Sequence, residues 1–424
     1  MKIRLELTTL LEKGAFHILV GNFATKFVTF FGSIFLVRIL SKADYGILGY
    51  MENLCGYAYV FAGLGLSNAL IRYSVLSNDI EHKYSYYKYA VTRGFMFDIL
   101  IVIGIFIINI FYNHPEKFSE ASYLMPILIL ALPFNDLTND QQINERAMFN
   151  NNRFAVFSVV SAIIVVLGRV FGAEIEGVTG TVFGIVVANV IVASVLIILV
   201  YRKYFTSIKA AVLTRKEKNT AMTYSLQYMI TNGLWALFML TDVYLLGLLN
   251  GDPATLADYK VAYVLPGNLS VLSSAVGLFI EPYFISNEDD TNWVRKNYLK
   301  TLLYTVVFVG ITAILLGVFA KPIIWILYGN QYTNTASLMR ILLLACFINC
   351  ALRYTTANIL AAMGLIKYNM IISVLGVIML ITMDLCLIPR FGSFGIAFAE
   401  ILTNSVMAIA LFVIFNNKYS IIIK

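Results

Sequence analysis

Basic side chains inside long apolar segments are the residues of this sequence best suited to chemistry. Lys26 lies in the middle of an apolar run at about 14–37, and Arg353 lies near the middle of another at about 335–362. A charge at mid-bilayer costs about 2.5–3.5 kcal/mol on insertion scales. From a depth of roughly 15 Å neither side chain reaches the interface. We therefore expect each to face a water-filled cavity or a buried acid.

Carboxylates inside the apolar segments are the candidate partners of these cations. Three lie deep in their segments, and three lie within about two helical turns of an end and are interpreted as interfacial. The deep acids are Glu52, Asp242 and Glu400, and the interfacial ones are Asp98, Glu281 and Asp384. Two interpretations stay open. Lys26 and Arg353 either pair with acids and lock helices together, or they present charge to an anionic substrate while the acids partly balance them.

Arg340 is a third basic candidate for the same substrate-binding set. It lies close to one end of its apolar segment, so its side chain is long enough to reach the interface. The predicted set of substrate-binding cavity charges is therefore Lys26, Arg353, Arg340, Glu52, Asp242 and Glu400.

The composition predicts an all-α integral membrane protein. Of 424 residues, 59% are hydrophobic and 13% are charged, which is about half the charge of a soluble domain. The apolar residues form blocks of about 20, long enough to cross a hydrocarbon core of about 30 Å as helices. Twelve such segments are placed at about 14–37, 44–72, 88–112, 121–137, 153–173, 178–201, 221–248, 257–285, 299–319, 335–362, 368–388 and 393–415.

Lysine and arginine in the connecting loops predict the orientation. Alternate loops carry 21 basic residues on the side of both termini and 7 on the other. The positive-inside rule therefore places both termini in the cytoplasm. This distribution accounts for the net charge of +7 without nucleic acid as a partner. The first apolar segment is too long for a cleaved signal and is expected to remain as a helix.

A short internal repeat at half-length predicts two lobes. Residues 43–45 and 257–259 both read Ala-Asp-Tyr, and residues 63–64 and 277–278 both read Gly-Leu, 214 positions apart. Six segments per half make this a parallel repeat. We expect two six-helix lobes around a central cavity, an arrangement suited to alternating access. The predicted lobes are residues 1–210 and 211–424.

Catalytic and cofactor motifs are missing from the sequence. It contains no Walker A loop, HExxH, GxSxG elbow or dinucleotide-binding glycine pattern. Cys346 and Cys350 share a helix face but have no further ligand nearby, so we interpret them as packing residues. The acidic run at 288–290 could imitate the carboxylate pair of a sugar transferase, but a solvated loop is favoured. We expect no cofactor, no bound metal and no enzymatic activity.

Four motifs spread over the chain resemble the polysaccharide-flippase branch of the MATE/MOP exporter superfamily. They are RILSKADYG at 38–46, GLGL at 63–66, YGNQY at 328–332 and LIPRFGSFGIA at 387–397. The motifs mark turns and hinges and do not identify a substrate. Ile396 stands where the family usually has alanine. The pattern is most similar to that of the Wzx-type O-antigen flippases.

The resemblance implies a function in a bacterial inner membrane. Members move undecaprenyl-diphosphate-linked oligosaccharides from the cytoplasmic to the periplasmic leaflet, so Lys26 and Arg353 are expected to contact the diphosphate, one from each lobe. The lipid bilayer, the lipid-linked oligosaccharide, and a polysaccharide polymerase with other assembly proteins are the expected partners. A MATE-like drug or cation antiporter would need a cavity dominated by acids. A membrane-embedded polymerase or ligase would need a large outer loop, which the sequence lacks.

Overall fold

The structure, a computed structural model, describes the backbone of residues 15–419. Within that range it contains helices and turns and no β-strand. Side chains are described throughout except at 15–17, 19, 231–232, 234–235, 237–238, 275, 278–279 and 282. The basic residues Lys2, Arg4, Lys13 and Lys424, which contributed to the predicted orientation, lie outside the described residues.

The first compact unit is Met1–Leu240. Its helices are α1 (Ala15–Ile39), α2 (Lys42–Tyr59), α3 (Leu66–Leu76), α4 (Ile80–Phe111), α5 (Ala121–Leu128), α6 (Ala131–Ala147), α7 (Asn151–Tyr204) and the first two-thirds of α8 (Arg215–Asn250). A 3₁₀ turn, Ala62–Gly65, joins α2 to α3 with a bend of 42°. A second 3₁₀ turn, Glu116–Phe118, precedes α5.

The second compact unit is Thr241–Lys424. After the end of α8 its helices are α9 (Pro253–Gly267), α10 (Leu269–Ser286), α11 (Thr291–Val318), α12 (Ala320–Tyr328), α13 (Ala336–Phe347), α14 (Thr355–Ala362), α15 (Ile366–Phe391) and α16 (Ser393–Tyr419). A 3₁₀ turn, Asn330–Thr335, precedes α13. A π-helical segment, Ile348–Tyr354, connects α13 to α14 without a break.

The helices have the length and composition of membrane spans. Among the described residues, eight are long and apolar enough to cross a membrane, and the bent pair α2–α3 makes a ninth candidate. One of the eight, α7, contains two spans because it reverses direction at Glu176 and Gly177. Each of the twelve segments expected from the sequence contains helical residues. The predicted all-α membrane fold is therefore confirmed, and the protein is a multi-pass membrane protein.

The two arms of α7 pack with their backbones in contact. Gly177 has φ +56°, which a glycine adopts without strain, and it provides the turn between the arms. Beyond the turn, Gly172 faces Gly180 and Gly168 faces Gly184, so close that an added methyl group would overlap the opposite backbone. Small residues spaced four apart allow this close approach of membrane helices, where van der Waals contact supplies much of the association energy.

Polar side chains define where several helices begin. The side chain of the residue preceding the helix accepts a hydrogen bond from a first-turn N–H in six cases among the described helices. These caps are Ser41 for α2, Asp79 for α4, Asn150 for α7, Thr214 for α8, Asp252 for α9 and Asp290 for α11. The last cap belongs to the acidic run at 288–290, all of which is exposed. That run ends a connection and caps a helix, as expected for a solvated loop.

Each unit has its own apolar core. In the first unit, Leu70, Tyr87 and Phe205 belong to a cluster from α3, α4, α7 and the segments beside them. In the second, Tyr298 of α11 stacks on Phe415 of α16 with ring centroids 4.1 Å apart. Large apolar side chains also cover the outer faces. An example is Phe111 at 80% exposure. Such faces suit hydrocarbon and not water.

Two boundaries differ from those expected. The fourth segment was predicted to end at residue 137, and this is wrong, because α6 continues to Ala147. The reason is that its last turns are polar and yet buried by neighbouring helices. The compact units divide after Leu240, about 30 residues beyond the expected lobe boundary at 210, within α8. The six-helix lobes and the central cavity stay predictions.

Gly180→Leu is expected to destabilise the hairpin of α7. A leucine would enter the backbone of Gly172, and overpacking of this kind costs about 1–3 kcal/mol. The measurement is the apparent melting temperature of the protein purified in detergent. Gly104→Leu in α4 is the matched control, because nothing lies within 4 Å of a methyl group added there. Equal melting temperatures for both variants would contradict the packing described.

Candidate functional site

Helix α1 presents three chemically different faces. One face packs on α7, where Gly21 and Gly32 approach it most closely. The second carries exposed phenylalanines at intervals of four residues, namely Phe23, Phe27, Phe31 and Phe35. The third is polar and consists of Asn22, Lys26, Thr29 and Ser33. Lys26 is exposed on this polar face, about a dozen residues from either end of α1. At that depth a lysine with an exposed side chain needs a water-filled space.

The polar face of α1 continues into a small cavity that contains an ion pair. Glu52 of α2 is paired with Arg169 of α7. The two side chains line a cavity of about 130 Å³ together with Thr29, Ser33 and other residues. Glu52, predicted as a cavity charge, therefore lies beside water-accessible space and already holds an arginine.

A run of polar residues in α6 is buried inside the first unit. Asp136, Thr138, Asp140, Gln141, Asn144 and Glu145 each expose less than a tenth of their surface. The hydrogen bonds that connect this run to other helices include Tyr87 Oη to Gln141 Oε1 at 2.7 Å, Asn139 Nδ2 to Ser67 Oγ at 3.1 Å and Tyr204 Oη to Glu145 Oε2 at 2.8 Å. Sequence reasoning missed these residues because their polarity was interpreted as a loop. Helical spacing of the polar positions was the available signal.

Glu145 is the charged end of this run. Its carboxylate is fully buried and lies 3.2 Å from Arg153 Nε and 3.9 Å from Lys203 Nζ. Tyr204 Oη also donates a hydrogen bond to Glu145 Oε2 at 2.8 Å. A buried carboxylate is tolerated when cations and hydrogen-bond donors surround it in this manner. The contacts join α6 to both ends of α7.

The break between α2 and α3 is held by carboxyl groups. Gly63, Leu64 and Gly65 have φ of +57°, +55° and +67°, three left-handed residues in succession. The Gly63 N–H donates to Asp98 Oδ1 of α4 at 2.7 Å. A methyl group added at Gly63 would overlap the Asp136 carboxylate of α6. Glycine is therefore required here by both its backbone conformation and its neighbours.

The two carboxyl groups at this break also touch each other. Asp98 and Asp136 lie within hydrogen-bonding distance, and Asp98 Oδ2 is a buried oxygen with no protein donor. Asp98, interpreted as interfacial from its distance to the segment end, is fully buried within the protein. Its depth in the membrane stays a prediction.

A second carboxyl cluster lies in the second unit. Asp242 is within hydrogen-bonding distance of Asp384, Glu400 and Tyr259. Asp384, interpreted as interfacial, is fully buried within the protein, and both of its oxygens lack a protein donor. Its depth in the membrane stays a prediction. The structure thus brings the predicted Asp242 and Glu400 together and adds Asp384 to them. Segments α8, α15 and α16 are far apart in sequence, so spacing gave no sign of this contact.

Arg353 lies on the π-helical segment between α13 and α14. It is 7% exposed, and its Nη1 donates to Asn349 Oδ1 at 2.8 Å. A π-helical turn widens the helix by one residue and is frequently found at functional sites. Arg353 is therefore a buried guanidinium on an irregular stretch of a membrane-spanning helix. Its contact with a substrate stays a prediction.

Arg340 occupies a different environment from Arg353. Its side chain is exposed, and its Nε donates to the Gly317 carbonyl at 2.9 Å. Gly317 belongs to the last turn of α11, whose final carbonyls lack intrahelical partners. Arg340 thus binds a helix end, and a contact with substrate stays a prediction.

The described part of the chain offers no evident metal centre. Within it, no group of three His, Cys, Asp or Glu side chains is arranged to hold a metal ion. Cys346 and Cys350 are both buried, which agrees with a packing role.

Solved structures with a similar fold are membrane transporters. An inward-facing multidrug resistance MATE family transporter of the MOP superfamily has a TM-score of 0.72 and 13% identity, covering 93% of this chain and 94% of that one. The lipid II flippase MurJ, in an inward closed conformation, has a TM-score of 0.68 and 16% identity, covering 94% and 87%. A MOP superfamily transporter from Pyrococcus furiosus Vc1 has a TM-score of 0.63 and 13% identity, covering 96% and 95%. The fold is therefore that of the MOP superfamily.

The sequence match is to a narrower group. Residues 35–337 match the family described as "Polysaccharide biosynthesis protein", and the chain belongs to this family. An uncharacterized membrane protein of Methanocaldococcus jannaschii is 24% identical over 416 residues, covering 88% of this chain and 78% of that protein. The family and the fold together confirm the resemblance to the polysaccharide branch of the MATE/MOP exporters.

Gly63→Ala is expected to lower the amount of folded protein. The alanine would be strained at φ +57° and would overlap the Asp136 carboxylate. Backbone strain of this kind costs about 1–3 kcal/mol. The measurement is the monodisperse fraction after extraction in detergent, followed by thermal melting. Gly104→Ala, a helical glycine with open space around it, is the control and should behave as wild type. If Gly63→Ala is as stable as the wild-type protein, the carboxyl groups of Asp98 and Asp136 do not hold the break between α2 and α3.

Proposed function

We propose that this protein is a flippase that moves a polyprenyl-diphosphate-linked oligosaccharide across a bacterial inner membrane by alternating access. The family match supports a role in polysaccharide biosynthesis. The fold shared with MurJ, which is named a lipid II flippase, supports transport of a lipid-linked substrate. The protein carries no catalytic motif, and we propose that it is not an enzyme.

The observation that carries the proposal is the arginine on the π-helical segment. Arg353 is buried in a membrane-spanning helix, where an arginine is costly, and its Nη1 donates to Asn349 Oδ1. A planar guanidinium binds phosphate oxygens in pairs. In a polysaccharide biosynthesis protein, the anion that must cross the membrane is the phosphate link between lipid and sugar.

Lys26 is a second candidate cation and, unlike the buried Arg353, its side chain is exposed. Its side chain is exposed on the polar face of α1, so an anion in a water-filled space can reach it directly. A diphosphate carries about two negative charges, and hydrocarbon gives them no compensation. We propose that Lys26 and Arg353 each offset part of this charge, while the prenyl tail remains in lipid.

We also propose the orientation and the partners. Both termini lie in the cytoplasm, as the distribution of basic loops predicts. The oligosaccharide is received on the cytoplasmic side and released to a polysaccharide polymerase and its assembly proteins on the other.

The test is export of surface polysaccharide by a deletion strain that carries variant genes. Arg353→Gln should lower export by at least about tenfold, because a lost charge-assisted hydrogen bond is worth about 1.5–3 kcal/mol. Arg353→Lys should retain part of the activity. The readouts are surface polysaccharide and lipid-linked oligosaccharide accumulated in the cytoplasmic leaflet, each normalised to the amount of protein in the membrane.

Arg390→Gln is the matched control, because Arg390 is an exposed arginine in the last turn of α15. It should export normally. Full export by a stably inserted Lys26→Gln, Arg353→Gln double variant would contradict the proposed role of both residues. Normal surface polysaccharide in the deletion strain would contradict the function itself.

A cation or drug antiporter is the second candidate, and the contact among Asp242, Asp384 and Glu400 favours it. A buried cluster of carboxyl groups is what a cation requires. Resistance to cationic dyes that depends on Asp384, in a strain whose surface polysaccharide is unchanged by the deletion, would establish this alternative.

A further inference from the structure

A pocket with basic and aromatic side chains lies on the first unit at the start of α8. Its volume is about 620 Å³, within the range of about 300–1,000 Å³ for small-molecule sites. Tyr73 of α3 forms one side and a single face of α8 forms the other. The main α8 residues are Arg215, Lys216, Asn219, Thr223, Tyr224 and Gln227. We call this the Tyr224 pocket.

Along the α8 side of the pocket, the side chains change from cationic to neutral and polar. Arg215, Asn219, Thr223 and Gln227 follow one another at intervals of four residues, so they form a row about 18 Å long. Cations stand at the beginning of the row, and amides and a hydroxyl follow. None of the residues that line this pocket, all in the described part of the chain, is acidic.

The aromatic side of the pocket is preassembled. The Arg72 guanidinium lies 5.1 Å from the ring centroid of Tyr224 and 6.0 Å from that of Tyr73. Tyr73 also stacks on Tyr86 at 5.4 Å and meets Tyr224 edge to face at 6.0 Å. Because these contacts already hold the rings, a ligand would not have to order them.

We propose that the Tyr224 pocket binds the glycosyl diphosphate head group of the lipid-linked saccharide before it is moved. This inference rests on the proposed function and on the predicted cytoplasmic position of the basic loop at 202–218. Arg215 and Lys216 hold phosphate oxygens at the membrane surface. The ring of Tyr224 packs against the C–H face of a sugar.

The remaining polar side chains select a sugar over a phospholipid. Asn219, Thr223 and Gln227 offer donors and acceptors in a row, which matches the hydroxyl groups of a sugar ring. A glycerophospholipid head group would use the two cations at the rim and make no contact with this row. The pocket is therefore a site of first recognition, distinct from the mid-span cations Lys26 and Arg353.

The test is binding to the full-length protein in phosphatidylcholine nanodiscs. The probes are geranyl-diphospho-N-acetylglucosamine and geranyl diphosphate, which lacks the sugar and ends in a free phosphate. Each variant is compared with the wild-type protein for the same probe. The Arg215→Gln, Lys216→Gln double variant should weaken both probes by about tenfold or more. Tyr224→Leu should weaken the sugar-bearing probe by about tenfold and change the sugar-free probe by less than about twofold. Tyr224→Phe, which keeps the ring, should bind both probes as wild type does.

Lys218→Gln is the matched control, since Lys218 is exposed in the first turn of α8 but does not line the pocket. It should leave both affinities unchanged. Because Tyr224 also packs on the core cluster, Gln227→Leu serves as a second variant if Tyr224→Leu does not fold. It too should weaken only the sugar-bearing probe.

Several outcomes would overturn the proposal. The first is that the wild-type protein does not bind the sugar-bearing probe. The second is that phosphatidylglycerol in the nanodisc competes with this probe as well as the sugar-free probe does. The third is that Tyr224→Leu and Gln227→Leu weaken binding of both probes equally. If the pocket variants export polysaccharide normally while Arg353→Gln does not, the pocket proposal fails and the proposed function stands. Selective binding by the pocket in a protein whose deletion leaves polysaccharide unchanged would instead reject the function.

Discussion

Hydrogen bonds from polar side chains of α6 connect the helices of the first unit. This helix brings acidic, amide and hydroxyl side chains into the interior, where hydrocarbon would give them no partner. Gln141, Asn139 and Glu145 bond to Tyr87 on α4, Ser67 on α3 and Tyr204 on α7, so one polar helix is joined to three others. Removing a partner would leave a buried polar group unsatisfied, which costs more than the net value of the hydrogen bond.

Irregular backbone in both units occurs beside buried charged or acidic groups. In the first unit the left-handed residues Gly63–Gly65 lie against Asp98 and Asp136, and in the second a π-helical segment carries Arg353. Non-helical backbone is tolerated at membrane depth only where protein or a water-filled cavity covers it.

The candidate cations and the buried acids occupy different surroundings. Glu52 and Glu145 pair with arginine or lysine, whereas Asp242, Asp384 and Glu400 contact one another. Lys26 stands on an exposed polar face, and Arg353 is buried on the π-helical segment. Under the proposed function, an anion must be attracted strongly enough to enter and weakly enough to leave. Two separate cations suit that requirement better than one tight binding site does.

The sequence by itself determined the class of fold, because apolar blocks of membrane-spanning length leave helices as the solution. It also identified Lys26 and Arg353, since a cation inside such a block is recognisable without a structure. It did not identify the buried run of α6, because polar residues are interpreted as a loop until neighbouring helices are seen to cover them. Nor did it indicate that Asp242, Asp384 and Glu400 touch, or that Asp98 holds the break at Gly63. Those contacts join residues far apart in the chain, and only the packing of helices decides which side chains meet.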